Sequence, residues 1–170
     1  MKMPKTNLTA EEVRSRLNYD TKTGNLIWIM PPKNNSHLLG KIAGCKYSNQ
    51  YTSIKLAGRG QFLAHRLVWL WVHGEWPKEY LDHINGDRSD NRIENLRKAT
   101  RSLNSENQRT VHSNNKTGFL GVSWRDDIKS YRAQIKVNSK VINLGRFQDP
   151  EAASQAYLAA KRKLHKGCTI

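Results

Sequence analysis

Residues 81–108 read L-D-H-I-N-G-D-R-S-D-N-R-I-E-N-L-R-K-A-T-R-S-L-N-S-E-N-Q and hold the side chains best suited to chemistry. Asp82 and His83 are adjacent, and the carboxamides of Asn95 and Asn104 follow. A free imidazole titrates near neutrality, so His83 can take a proton from a water molecule. Asp82 and Asn104 offer hard oxygen ligands of the kind Mg²⁺ prefers, with waters and phosphate completing the shell. Hydrolysis of a phosphodiester has matching needs: a base for the attacking water and a cation near the scissile phosphate and leaving oxygen. Taken singly the residues say little. An Asp-His pair is usually turn polarity, Asn95 reads equally as a cap, and Asn104 as a solvated helix position.

The elements that must position these groups follow from pattern. Leu81–Ile84 reads as a short strand, Asn85-Gly86 as a tight turn, and Leu96–Thr100 as a returning strand. Arg101–Arg109 reads as a polar helix with Thr100 as its cap. On a strand Asp82 and His83 project to opposite faces, so both serve one site only if the chain bends against that helix. Upstream, Thr9 and Glu12 form a capping box for a helix near residues 10–17, and Thr23-Gly24-Asn25 is a turn. Leu26–Met30 is a strand before Pro31-Pro32, and residues 33–50 read mostly as loop. Tyr51–Ala57 and Gln61–Ala64 form a hairpin. His65–Gly74 is a helix stopped at Gly74, with Trp69, Trp71 and Trp76 as packing residues. His65 and Arg66 lie near enough in sequence to touch phosphate, although His65 reads equally as a packing histidine. His37, His73, His112 and His165 have no motif context, and no Ser-His-Asp set or phosphate-cradling glycine loop is present.

The Asp82-His83 pair, Asn95 in E-N-L-R, Asn104, A-H-R-L-V-W at 64–69 and G-E-W-P at 74–77 together resemble the HNH endonuclease family. The resemblance spans residues 17–108 and is strongest to phage and intron-borne homing endonucleases whose last motif residue is Asn. It implies an α+β fold with a ββα-metal (His-Me finger) nuclease core, two strands and a helix around one cation. It further implies His83 as general base and Asp82 and Asn104 as ligands of Mg²⁺ (or Mn²⁺). Asn95 is implied to pin the loop between the strands and so orient His83.

Residues 118–167 carry a second pattern. Gly121–Arg125, Tyr131–Val137 and Val141–Arg146 are strand-like, and Asp149-Pro150-Glu151 opens a helix with an Ala-rich stripe. Val122, Trp124, Tyr131, Ala133, Ile135, Val137, Ile142 and Leu144 alternate onto one expected apolar face. Ser123, Arg125, Arg132, Gln134, Lys136 and Asn143 fall on the other, where they suit phosphates and base edges. G-V-S-W at 121–124, Y-R-A-Q-I at 131–135 and L-G-R-F at 144–147 resemble the Apetala-two/ethylene-response-factor DNA-binding domain. That likeness implies a small three-stranded antiparallel sheet with one packed helix, the sheet lying in the major groove. Ser123 and Asn143 depart from the plant pattern, which places Arg and Trp there, so the plant target sequence does not carry over.

The domain organisation expected is an HNH nuclease domain over 1–110 (1–60 supporting, 61–110 core), a linker at 111–117 and the sheet module at 118–167. The 29 Lys and Arg against 14 Asp and Glu give a net charge of +15, which favours a polyanionic partner. The excess is +6 over 1–57, +2 over 58–110, +1 over 111–117 and +6 over 118–170, so a nearly neutral middle lies between basic flanks. Two distant cysteines exclude a Cys-rich zinc site, the longest apolar run (67–72) is too short for a membrane span, and the opening M-K-M-P-K-T-N lacks the apolar core expected of a signal peptide. The expected partner is double-stranded DNA, with no membrane and no obligate protein partner. The expected setting is the cytoplasm, by the resemblance that of a phage-infected bacterial cell. A site-specific endonuclease accounts for both halves. The competing readings are a non-catalytic DNA-binding regulator, which the intact Asp82, His83 and Asn104 disfavour, and a structure-specific phage repair or recombination nuclease.

Overall fold

The computed structural model describes residues 8–47, 50–111 and 114–169. The chain forms two compact units, Met1–Ala99 and Thr100–Ile170.

The first unit opens with α1 (Ala10–Arg16), whose N-terminus is closed by the reciprocal Thr9–Glu12 capping box. The antiparallel hairpin β1 (Leu17–Tyr19) and β2 (Leu26–Trp28) follows, then a sheet of β3 (Cys45–Lys46), β4 (Thr52–Leu56) and β5 (Gly60–Leu63). Residues 33–50, expected as loop, therefore also hold a 3₁₀ segment (Lys33–Leu38) and the short edge strand β3. Their polar composition hid both, since neither buries a side chain. Helix α2 (Ala64–His73) ends at Gly74, whose φ of 77° suits glycine and whose N–H takes the Leu70 carbonyl. Strands β6 (Tyr80–His83) and β7 (Leu96–Ala99) then pair antiparallel, with Asp82 opposite Arg97 and His83 opposite Leu96. Val13, Leu17, Ile54, Leu56, Leu67 and Val68 are fully buried in one core. At about 1.5–3 kcal/mol for each large apolar side chain, that core fixes the frame to which the polar loops attach.

The second unit begins with α3 (Arg101–Glu106), capped by Thr100 accepting from Leu103 N–H. It is shorter than the expected 101–109. Helix α4 (Pro150–Leu164) is capped by Asp149 and starts on proline as read. Strands β8 (Val122–Arg125), β9 (Ser130–Val137) and β10 (Lys140–Phe147) make one antiparallel sheet in the order β10-β9-β8. The expected apolar face is only partly realised. Val122, Ala133 and Ile135 are buried, but Trp124 and Ile142 are 42% and 39% exposed. A register shift between Asn143 and Gly145 breaks the alternation on β10, and the Trp124 ring lies edge-on to Tyr131.

The unit boundary at 99/100 differs from the expected one at 110/111. The C-terminal tail explains it. Gly167 N–H donates to Glu106 Oε2 at 3.1 Å, Thr169 Oγ1 donates to Asn107 Oδ1 at 2.7 Å, and the buried Lys161 ammonium donates to the Gln108 carbonyl. Such ties are invisible to local pattern. Within the expected linker, residues 112 and 113 lie outside the described residues. Asn115 Oδ1 accepts from Thr117 and Gly118 N–H at 2.9 Å each, and Thr117 Oγ1 donates to Val122 O at 3.1 Å. That stretch folds onto the start of β8.

A Cβ on Gly167 would stand 2.5 Å from the Leu103 carbonyl oxygen, a backbone atom with little room to yield. Gly167→Ala should therefore lift the tail and speed hydrogen exchange of the α3 amides while β8–β10 keep their protection. Unchanged exchange in α3 would show that the tail does not secure it.

Candidate active site

The site is built on the short β6–β7 ladder. Adjacent strand residues point to opposite sides, and the two side chains of interest find different surroundings. Asp82, 5% exposed, accepts from Arg97 Nε at 2.9 Å and Nη2 at 2.8 Å, both on Oδ2. Arg97 stands directly across the ladder, so the cross-strand register itself makes this pair. His83, 3% exposed, places its Nε2 3.1 Å from Asn91 Oδ1.

The connection between β6 and β7 is held by its own polar groups. Asn95 Oδ1 accepts from Asn85 N–H at 2.9 Å, and Asn95 Nδ2 donates to the Asp90 carbonyl at 2.8 Å. Its backbone carbonyl accepts from Ile84 N–H at 2.8 Å. Asp90 is forked by Arg92 Nε and Nη2 and also accepts from Asn85 Nδ2. The Arg92 guanidinium holds the Asp90 carboxyl down at about 2. Asp87 accepts from the Ser89 N–H and hydroxyl. A segment this polar keeps its shape by side chain-to-backbone bonds where a core is lacking.

Two rings meet beside His83. His65, from the first turn of α2, lies 5.2 Å from it nearly edge-on, at 77°. Tyr51 lies 5.2 Å from His65 and 6.0 Å from His83, and the Arg88 guanidinium sits 5.1 Å over the Tyr51 ring. Burial pushes the His83 imidazole below its ordinary 6.5, opposed by the Asn91 bond and by Asp82, Asp87 and Asp90. His83 is thus more completely neutral at pH 7 than the free imidazole assumed from sequence. Arg66 places Nη2 on the Pro77 carbonyl at 3.1 Å and its charge over Trp76.

The structure thus brings Asp82, His83 and Asn95 to one short ladder and its connection, and puts Asn104 on α3 of the second unit. Three neighbours escaped the sequence reading. Arg97 was legible in principle, since pairing Leu81–Ile84 with Leu96–Thr100 sets a basic residue near Asp82. Asn91 and Tyr51 carried no periodicity to mark them. His65, by contrast, was named from the sequence but could not be told from a packing histidine.

Burial drives His65 down to about 3, with His83 and Arg66 pushing the same way. A folded-state value below the unfolded one means that the unfolded chain takes up the proton first as pH falls. Stability complete above pH 6.5 is then lost toward pH 3, at about 1.4 kcal/mol per pH unit for this group. His65→Phe should therefore narrow the difference in urea midpoint between pH 7 and pH 5. An unchanged difference would contradict a buried neutral His65.

The HNH endonuclease family model matches residues 62–106, which run from β5 through α3. Protein 3.8 of Escherichia phage T7 is 32% identical over 102 residues, covering 59% of this chain and 83% of that protein. An uncharacterized HNH endonuclease, L560, of Acanthamoeba polyphaga mimivirus is 32% identical over 100 residues, 58% of this chain and 50% of its own length. No solved structure matches. The chain belongs to the family of phage T7 Protein 3.8 and carries an HNH endonuclease domain at residues 62–106.

Proposed function

We propose that this chain is a site-specific DNA endonuclease of the homing type, hydrolysing phosphodiester bonds in double-stranded DNA with a divalent cation. One observation carries the reading: a neutral, oriented imidazole, His83, directly follows Asp82 along β6 inside the stretch that matches HNH endonucleases. Perturbed titration at a specific, bonded position is what a tuned base needs. His83 takes the proton of the attacking water, and Asn95 keeps the connecting loop in place through both ends of its carboxamide. The ring is 3% exposed, with the Tyr51 ring 6.0 Å away and the Arg88 guanidinium over Tyr51.

Among the described residues no three His, Cys, Asp or Glu side chains gather as a metal cluster. The donors assigned are the Asp82 carboxylate and the Asn104 carboxamide, a set too sparse and too hard for structural zinc. It fits Mg²⁺ or Mn²⁺, since such an ion keeps several waters and is bound by one or two protein oxygens plus substrate phosphates. When bound, the cation supplies charge stabilisation at the phosphate and the leaving oxygen. Arg97, forked onto one oxygen of Asp82, fixes which way that carboxylate faces.

The second unit is assigned the reading of DNA. Ser123 stands opposite Arg132 and Gln134 opposite Asn143, so these four share one face of the sheet with Arg125 and Lys136. Ser123 Oγ and Arg132 Nε are enclosed without a hydrogen-bond partner among the described residues, which suits a face completed by phosphate or a base edge. The +6 charge of residues 118–170 points the same way.

Nicking of supercoiled DNA in Mg²⁺ tests the activity. It should be abolished by EDTA and reduced at least about 100-fold by His83→Ala. Cleavage that survives both would refute the mechanism, and binding without any cleavage would favour a regulator. Selection of cut sites from a random library should return one preferred sequence, whereas preference for branched substrates would favour a repair nuclease. Arg125 is held by Asp127 through bonds of 3.0 and 3.2 Å on the surface. Asp127→Asn should release it, tightening DNA binding and steepening the log–log salt dependence by about one. An unchanged slope would remove Arg125 from the interface.

A further inference from the structure

The imidazole of His83 is held from one side by a residue that no motif assigns. Asn91 is 4% exposed, and its Oδ1 faces His83 Nε2 at 3.1 Å. A carboxamide oxygen only accepts, so Nε2 bears the proton and the lone pair is left on Nδ1. Asn91 is in turn fixed from a distant part of the sequence. The Tyr19 hydroxyl on β1 donates to the Asn91 carbonyl at 3.3 Å and accepts from Ile93 N–H at 2.8 Å. It thus bridges the main chain on both sides of Arg92. Burial raises the Tyr19 value above 10, so the group stays a hydroxyl able to do both.

The turn of the same hairpin adds a second hold. Asp20 accepts from Lys22 N–H and the Thr23 hydroxyl, which makes the turn rigid. Gly24, at φ of 75°, rests on the peptide that follows Asn91. A Cβ there would stand 2.6 Å from Asn91 C and 2.4 Å from Arg92 N, both backbone atoms. Neither contact is required by the hairpin's own pairing, and both converge on the residue that holds the His83 ring.

We propose that Asn91 is the positioning residue of the site, orienting His83 and fixing its tautomer, and that the β1–β2 hairpin acts through Tyr19 to hold Asn91. The proposal rests on His83 being the base. It gives the N-terminal region a specific part in the chemistry: Tyr19 on the hairpin sets the angle of a ring 64 residues downstream, where a general support would only add stability.

The test uses the full chain labelled with ¹⁵N-histidine, the His83 ring nitrogens being assigned by their loss in His83→Gln. The wild-type spectrum at pH 7.5 should show a protonated Nε2 and an unprotonated Nδ1. Asn91→Ala should move both signals toward the tautomer average and lower the single-turnover cleavage rate at saturating DNA about 10- to 100-fold, with DNA affinity nearly unchanged. Tyr19→Phe, which keeps the ring against Trp71, should shift the same two signals in the same direction by a smaller amount. It serves as the decisive variant if Asn91→Ala fails to fold. A wild-type ring protonated on Nδ1, or signals unmoved in both variants, would overturn the proposal. A chain that cleaves no DNA would refute the base assignment and the proposal's catalytic claim. The ring spectra would still show whether Asn91 holds the side chain.

Discussion

The two-stranded ladder that sets Asp82 opposite Arg97 and His83 opposite Leu96 is the constraint from which the site follows. A slip of one residue would turn the carboxylate and the imidazole to each other's sides. What prevents it is partly apolar, since Leu81, Leu96 and Ala99 are buried, and partly the Asn95 carboxamide, which joins the chain on both sides of the connection. Register, loop shape and ring orientation are therefore one problem, solved by these two sets of contacts together with the Asn91 bond to the His83 ring.

Burial then decides the electrostatics. A charged imidazole in the place of His83 or His65 would lose its water shell, and the nearby carboxylates offset that cost only in part for His83. Both rings are consequently neutral, and neither repels the other across 5.2 Å. Asp82 is in the opposite situation. A carboxylate this enclosed needs a partner, and the forked Arg97 supplies one from the neighbouring strand. One face of the ladder thus presents a compensated ion pair, the other an uncharged base.

Much of this was legible in the residues themselves. The helix at 64–73, the paired strands around Asp82 and Leu96, the Thr100 and Asp149 caps and the three strands beyond residue 120 all carry local signals, and each formed within a residue or two of expectation. What failed to show was non-local or irregular. Ile142 stands directly across the ladder from the buried Ile135 and is nonetheless 39% exposed, because alternation sets the face of a side chain and not whether anything covers it. The tail contacts that join α3 to the second unit, and the Tyr19 bridge to Asn91, link residues 61 to 72 positions apart, and pattern has no access to such distances. At the site the reactive types were readable because their chemistry is uncommon in combination. The groups that aim them are ordinary Asn and Tyr residues, distinguished only by position.

The central claim is that a buried, neutral His83 removes the proton from the attacking water. The most direct measurement is the pH dependence of kcat/KM for cleavage of a defined DNA, which reports the free protein's essential base. The account predicts an acid limb centred below the ordinary imidazole value of 6.5. A limb centred at or above 6.5, or one that persists unchanged in His83→Ala, would contradict it.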